Sequence, residues 1–419
     1  MSGWEMGGRG TPKVSPSRLA AFEILAAVGS GTGHSDELLH SKHVDTLSPE
    51  DRNLCTTLVM GVLRWQIALD ARLRGLLQRP EQRLADPVAI ALRMGAFQLL
   101  YLDRVPAHAA LNESVELCRE AGHPYAAGMV NAVLRKLTSS KKPGAPIYES
   151  VAALAERLGH PAWLVERWAA VYGREAAQMI CEADQREPSE GKMFTEYDDM
   201  PVMDDGSRLV AELAAAAAPE AKRVWDCCAA PGGKTLVLAK RLAAASIIAS
   251  DVSAKRLAAM KARFRRLDFA ERIECVVADA ADADSVQGEF NLIVCDAPCS
   301  GTGTLAANPE IRHRLQPADL ARQAARQRMV LKGALRRLAS GGRLVYSTCS
   351  LEPEECEQVV SGVTGVRRVP VEGLLGELNR NRILQDEASL ESAVRDGALR
   401  TLPGVHECDG FFAVVFERT

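Results

Sequence analysis

Asp226-Cys227-Cys228-Ala229-Ala230-Pro231-Gly232-Gly233-Lys234-Thr235 is the stretch on which the reading of this chain turns. It joins a β-rich run at residues 223–228 to a helical pattern at 234–242. Its paired glycines would let backbone N–H groups approach an anionic or polar ligand at a helix N-terminus. A nucleotide-triphosphate loop needs G-x-x-x-x-G-K-[ST]. Cys228 stands where the first glycine should be and Pro231 stiffens the middle, so that reading fails, and no G-x-G-x-x-G for a dinucleotide is present.

Outward from this stretch the same rhythm repeats. Strand patterns at 223–228, 246–251, 273–277, 290–295 and 343–347 alternate with amphipathic helices at 234–242, 254–267 and 317–338. Strands separated by helices imply an α/β, doubly wound, Rossmann-like parallel sheet. Near-continuous apolar runs such as Leu292-Ile293-Val294 suit strands covered on both faces. The run at 410–416 reads as an added antiparallel edge strand. Upstream, residues 15–137 carry apolar side chains three and four apart, as in Leu19, Phe22, Leu25 and Ala26, and predict an all-helical domain. Ser48-Pro49-Glu50-Asp51 is a helix start, with a cap residue, proline at the first position and acids in the first turn. Residues 139–146 have linker composition, and two further helices are expected around 151–158 and 162–181.

In such a sheet ligands bind beyond the carboxyl ends of the strands. Asp251 ends the second strand, 25 positions after Asp226, where an acid can accept from ribose hydroxyls or cap the next helix. Asp279 ends the third and is placed to accept from an adenine amino group. The fourth ends in Asp296-Ala297-Pro298-Cys299-Ser300-Gly301-Thr302-Gly303, and the fifth in Ser347-Thr348-Cys349-Ser350 with Pro353-Glu354-Glu355 beyond. Cys227 and Cys295 lie within strands and read as inert small hydrophobes. Cys299 and Cys349, in polar turns past strand ends, are the candidates for reactivity.

Composition sets outer limits. The 419 residues are 47% hydrophobic, 25% charged and 5% aromatic, an ordinary folded composition with room for two or three domains. A net charge of −3 excludes coating of nucleic acid by bulk charge. Local cationic stretches remain: Lys255 to Arg266 holds six basic residues and no acid, and Ile311 to Leu338 holds eight against Asp319 alone. These are the candidate polyanion contacts, or solvated helix faces. Eleven cysteines without a CxxC pair, no apolar leader, no unbroken eighteen-residue apolar run and eight scattered histidines predict a cytoplasmic protein with no membrane span and no metal site.

The ordered motifs D-x-C-A-A-P-G-G-K-T, the strand-two and strand-three acids, D-A-P-C-S-G-T-G and S-T-C-S-x-x-P-E-E resemble the RNA 5-methylcytosine methyltransferases of the Sun/Fmu (RsmB) and NSUN group, from Asp204 to the C-terminus. The helical half, through residues 99–117, is similar to the NusB-like domain of the bacterial ribosomal RNA members. The resemblance implies a class I S-adenosylmethionine-dependent fold, with the cofactor held by Cys228, Ala229, Ala230, Pro231, Gly232, Gly233, Lys234, Asp251, Arg256, Asp279 and Asp296. It implies 16S small-subunit rRNA as substrate, acted on by a monomer. Carbon 5 of cytosine is a poor nucleophile until a thiolate adds to carbon 6. By resemblance Cys349 is that nucleophile, Cys299 removes the carbon-5 proton or releases product, Asp296 binds the base edge and Lys234 favours the thiolate. DNA cytosine-5 methyltransferases use the Pro-Cys cysteine instead, which by analogy is Cys299.

The implied organisation is a flexible N-terminus (1–14), an all-α NusB-like RNA-binding domain (15–140), a helical linker region with a shortened RNA-binding module (147–207) and the methyltransferase domain (208–419). Bacterial members carry a small α+β module where this chain passes from Pro188 to Val202 in a few residues. Met203 and Arg208 replace glutamines of the family stretch V-Q-D-E-G-S-Q-L. The alternatives to a 16S rRNA enzyme are a tRNA cytosine-5 methyltransferase and a non-catalytic RNA-binding assembly factor.

Overall fold

A computed structural model describes residues 14–139, 149–188, 191–197, 200–265, 267–385 and 390–419. The expected flexible N-terminus lies outside the described residues except for Val14, as do the linker after Ser139 and Arg266 of the first basic stretch. The chain forms two compact units, Met1–Val171 with Asn308–His313, and Tyr172–Ala307 with Arg314–Thr419.

The first unit is all-helical, as expected. It contains α1 (Pro16–Gly29), the short α2 (Ser35–Leu39) and α3 (Lys42–Asp45), then α4 (Pro49–Arg74), α5 (Asp86–Tyr101), α6 (Ala107–Glu120), α7 (Ala127–Ser139), α8 (Val151–Arg157) and most of α9 (Ala162–Tyr172). Ser48 caps α4 by accepting from the Asp51 N–H at 3.1 Å, the role its sequence announces. The α1 stripe is rotated from the expected one. Ala20, Ala21, Ile24, Leu25 and Val28 are buried while Leu19 is exposed, because small alanines let α1 lie close against α4. α4 is long and apolar enough by length and composition to cross a bilayer, yet its Leu58, Val59, Val62 and Leu69 form the core of this helical unit. The excursion 308–313 belongs here too. Glu310 accepts from the Ser35 N–H (3.1 Å) and hydroxyl (2.9 Å), Arg312 donates to the Arg64 and Gly159 carbonyls, and His313 Nε2 donates to the Leu63 carbonyl at 2.7 Å.

The second unit begins with α10 (Arg174–Ala183) and α11 (Asp205–Ala217). The single helix expected over 162–181 is therefore two, α9 and α10, broken at Gly173, whose φ of +88° no helix accommodates. Then follow β1 (Arg223–Asp226), α12 (Gly233–Arg241), β2 (Ser246–Asp251), α13 (Ala254–Phe264), β3 (Ile273–Val277), β4 (Phe290–Asp296), then α14 (Ile311–Arg314), of which all but Arg314 belongs to the first unit, and again in the second unit α15 (Pro317–Arg336), β5 (Leu338–Thr348), α16 (Glu357–Val360), β6 (Val366–Val369), α17 (Val371–Arg380), β7 (Val394–Arg395), β8 (Ala398–Arg400) and β9 (Phe412–Arg418). β1 to β5 are mutually parallel in the order β3-β2-β1-β4-β5, and β9 runs antiparallel beside β5.

β9 is not the edge strand that its sequence suggested. β6 and β8 pair with its far side, so its Phe412, Val414 and Phe416 are buried. Both partners are three or four residues long and lack an apolar pattern of their own. Sheet faces are covered by α11, α12, α13 and α17 on one side and by α15 and α16 on the other. The strand order reverses between β1 and β4, the place beyond whose carboxyl ends such sheets bind ligands.

Candidate active site

The turn from β1 into α12 is shaped by glycine. Gly232 has φ +98°, and a Cβ there would lie 2.5 Å from the Phe264 ring and 2.7 Å from Met260. Two residues of the first basic stretch hold this turn. Arg256 donates to the Ala230 carbonyl and Arg263 to the Pro231 carbonyl at 2.8 Å, so neither is free for a polyanion. The Ala229 N–H is tied to the Ser250 carbonyl at 2.8 Å, and Cys228 packs partly buried beneath. Asp226 is buried. Burial pushes its carboxyl up to about 6 against the Thr235 hydroxyl, which donates to it at 2.6 Å.

Asp251 does not cap α13. Ser253 does, accepting from the Arg256 N–H, while Asp251 accepts from the Ser253 N–H at 2.8 Å and faces Arg256 at 3.6 Å. Asp279 is exposed at the end of β3 and accepts from the Ala281 N–H at 3.0 Å. The turn after β1, Asp251 and Asp279 thus stand at the carboxyl ends of three adjacent strands.

Across the switch point, Asp296 ends β4. One of its oxygens accepts from the Ser347 hydroxyl at 2.7 Å and the other pairs with Lys234 Nζ at 2.8 Å. Lys234 also donates to the Ser207 hydroxyl at 2.7 Å and sits 5.1 Å from the Phe411 ring centre. Burial is the largest single influence and opposes its charge, but Asp296, Cys349 and Asp226 together raise the Lys234 pKa, so the side chain remains an ammonium. Its field also reaches Cys349.

Cys299 and Cys349 meet with their sulfurs 3.4 Å apart. They are not alike. Cys299 is pushed well above the ordinary thiol range by its hydrogen bond to Cys349 and by burial. Cys295 is fully buried in β4, while Cys227, also buried, lies in the turn one residue past β1 rather than within the strand its sequence suggested.

Glu355 holds the two cysteine turns together, a role the sequence did not disclose. Fully buried, it accepts from the Ser300 N–H (2.9 Å), the Ser300 hydroxyl, the Ser350 hydroxyl (2.6 Å) and Gln327 Nε2 (3.0 Å). Each serine directly follows a reactive-cysteine candidate. The only signal available was a glutamate in the P-E-E string. Gly303 adds a second tie: its N–H donates to the Cys349 carbonyl, and its α-carbon packs so closely on Gly410 that a Cβ would fall 2.2 Å from the Gly410 carbonyl oxygen.

The seam before the cofactor turn is also visible. Asp204 caps α11 by accepting from the Gly206 and Ser207 N–H groups and, with its other oxygen, from the Asp409 N–H. Met203 packs on Gly233. Arg208, buried, stacks 4.0 Å over Phe194 and pairs with Glu212, which Arg241 also grips at 2.8 and 3.0 Å. Both departures from the family stretch thus fill packed positions. Burial and Asp204 push the Asp409 carboxyl well up. Among the described residues no cluster of three or more His, Cys, Asp or Glu could hold a metal.

The helical half, residues 15–139, matches the NusB family, and residues 214–417 match the 16S rRNA methyltransferase RsmB/F family. The chain is 30% identical to the probable ribosomal RNA small subunit methyltransferase B of Bacillus subtilis, over 96% of this chain and 98% of that one. The same enzyme of Xanthomonas campestris is 32% identical over 94% and 95% of the two chains. This chain belongs to the ribosomal RNA small subunit methyltransferase B family. The crystal structure of PH0851 shares the fold of such a chain, with a TM-score of 0.71 at 21% identity over 97% of this chain and 99% of that one. The B. subtilis comparison runs over 451 positions against the 419 residues here, so that methyltransferase B carries segments this one lacks.

Proposed function

We propose that this methyltransferase B transfers a methyl group from S-adenosylmethionine to carbon 5 of a cytosine in 16S rRNA through a covalent cysteine adduct. The observation that carries this reading is the 3.4 Å pairing of Cys299 with Cys349, beside the Lys234–Asp296 ion pair, at the carboxyl ends of β4 and β5. The turn at Gly232, the first N–H groups of α12 and the carboxylates of Asp251 and Asp279 suit a cofactor with a polar tail, a ribose and an adenine. The cofactor supplies an electrophilic methyl on sulfur.

The chain's own residues do the rest. Cys349, as thiolate under the Lys234 ammonium, forms a sulfur–carbon 6 bond. The carbon 5–carbon 6 electron pair moves to carbon 5, which then accepts the methyl. Asp296 receives a hydrogen bond from the exocyclic amine or the protonated N3 and holds the ring as it gains charge. Cys299, having given up its own proton to water, takes the carbon-5 proton as thiolate. The electron pair returns to the ring, the sulfur–carbon bond breaks, and Cys349 leaves as thiolate. A target base within a helix reaches this site only when turned out of its stack.

On this reading residues 15–140 and 147–207 serve RNA placement and 208–419 the chemistry, with the shortened 188–202 connection dispensable for methyl transfer. The test is tritium transfer from labelled S-adenosylmethionine to protein-free 16S rRNA, with tRNA in parallel and 5-methylcytosine mapped in the product. Cys349→Ala is expected to abolish transfer. Cys299→Ala is expected to stall with RNA covalently bound, seen as a slower-migrating protein band. Full activity of Cys349→Ala, or the adduct appearing in that variant instead, refutes the assignment of roles. Label only in tRNA refutes the target.

A further inference from the structure

The eight basic residues between Ile311 and Leu338 do not form one surface. Arg312 is buried on backbone carbonyls of the helical unit, and Arg337 is engaged by the Ala283 carbonyl and Asp284. Arg322, paired with Asp319, and Arg326 are exposed on another face of α15, and three more residues form a stripe along it. Arg328, Lys332 and Arg336 stand at i, i+4 and i+8, about 6 Å of helix rise apart, on one face. They line a groove of about 790 Å³ whose other wall is the glycine-rich turn around Gly362 and Thr364, with Arg418 at its end.

Four features set this groove apart. Its lining holds four cations and, among the described residues, no carboxylate, in a chain whose net charge is −3. Among the described residues, Arg328, Lys332 and Arg336 have no acidic partner. Glu417, next to Arg418 in sequence, is already taken by Arg343 and Arg367. Apolar side chains, Leu331 and Leu335, floor the groove, so a ribose or base can pack between charged walls.

Its position is the informative part. β5 and β9 are antiparallel, with Thr348 opposite Phe412 and Arg343 opposite Glu417. The cysteines lie past Thr348, whereas Arg418, at the far end of the groove, stands six residues beyond Phe412 on β9, about 20 Å along the strand; the near end, Arg328, follows Gln327, which reaches the Pro298 carbonyl. A nucleotide held at the cysteines cannot reach the Arg418 end of the groove.

We propose that this groove is a second, remote anchor for the phosphate backbone of the substrate rRNA, gripping a segment distant from the methylated base. The proposal needs only that the chain binds rRNA, and it stands or falls separately from the cysteine chemistry. Phosphate contacts of this kind hold and orient RNA without reading sequence. They also make affinity depend on salt, with the slope of log K against log salt steepening by about 0.7 per contact on single strands.

The test compares the wild type with R328A/K332A/R336A for binding to full-length 16S rRNA, by filter retention across a salt series. The expected result is a slope shallower by about 2, because three cation–phosphate pairs are removed at about 0.7 each. Between roughly 50 and 200 mM salt the triple variant should then lose about twenty-fold less affinity than the wild type. The charge-conserving R328K/K332R/R336K should retain the wild-type slope, which separates removal of charge from failure to fold. In turnover, KM for full-length rRNA should rise with kcat unchanged, while KM for a short oligonucleotide around the mapped cytosine should not move. An unchanged slope and affinity in the alanine variant overturns the proposal and assigns the groove to another acidic ligand. An equal KM increase on the short oligonucleotide overturns it as well. Salt-dependent binding without methyl transfer by the wild type would refute the proposed function and leave the groove to be judged by its slope.

Discussion

Glu355→Gln is the perturbation that best separates holding a site together from doing chemistry in it. The carboxylate takes four donors on two oxygens: the Ser300 N–H and Gln327 on one, and the two serine hydroxyls on the other. Hydrogen bonds to a charged group contribute about 1.5–3 kcal/mol each, and a buried donor left without a partner costs about 1–3 kcal/mol. In Glu355→Ala the serine hydroxyls, 3.1 Å apart, can turn to each other, whereas the Ser300 N–H cannot turn and Gln327 keeps only the Pro298 carbonyl. Two stranded donors plus the cavity give about 3–6 kcal/mol, a large share of the roughly 5–15 kcal/mol that holds a domain together. The alanine variant should therefore melt far lower. The glutamine variant keeps the volume and one acceptor oxygen and should lose about 1–2 kcal/mol. Its amide must still present a donor where the carboxylate presented an acceptor, so the turns bearing Cys299 and Cys349 shift. A displacement near 1 Å at a reacting atom costs on the order of a hundredfold in rate. The assay is thermal unfolding, cofactor titration and methyl transfer on the same preparations. The glutamine variant should fold and bind S-adenosylmethionine as the wild type does, with kcat down about ten- to a hundredfold. Unchanged kcat in a folded Glu355→Gln would refute the clamp.

Three further outcomes follow from named contacts. Gly232→Ala forces a Cβ to within 2.5 Å of Phe264 at φ +98°, a strain and overpacking of about 2–4 kcal/mol; calorimetric cofactor affinity should fall more than about tenfold, and unaltered affinity would show that the turn does not carry the cofactor. Lys234→Gln removes the ammonium facing Asp296 and Cys349, so alkylation of Cys349 at fixed pH, followed by peptide mass, should be slower than in the wild type; an unchanged rate would remove Lys234 from thiolate activation. Burial lowers His313 to about 4, so the unfolded chain binds a proton below about 6.5 that the folded chain refuses. Stability should drop as pH falls from about 6.5 to about 4, by at most about 3 kcal/mol, and His313→Gln should flatten that slope; a melting profile with the same pH slope in both would contradict it.

Local sequence carried a great deal here. The β1–α12 turn was legible because its glycines and lysine act within ten residues. Strands β2 and β4 were legible because a strand covered on both faces reads as a near-continuous apolar run, as in Ile247-Ile248-Ala249 and Leu292-Ile293-Val294, while β3, at the sheet edge with Glu274 and Val277 exposed, showed only its β-branched content. Cys299 and Cys349 were singled out because a cysteine in a polar turn past a strand end has no packing reason to be there. Other features left weaker traces. β6 and β8 are short, and pairing with β9 rather than their own composition makes them strands. The split of α9 from α10 rested on one glycine inside an otherwise continuous helical pattern.

By itself, then, the amino-acid sequence determined an all-helical half, a parallel sheet and which side chains could do chemistry, since hydrophobic period and turn chemistry are properties of neighbours along the chain. Only the tertiary structure decided that Cys299 and Cys349 lie 3.4 Å apart although fifty residues separate them, that Glu355 binds both of their turns, and that β9 sits inside the sheet. It also sorted the arginines of one basic stretch into a buried structural one, Arg312, and an exposed stripe. Charge along a sequence has no direction. Direction comes from the packing of α15, which turns Gln327 toward Glu355 and leaves Arg328, Lys332 and Arg336 facing water.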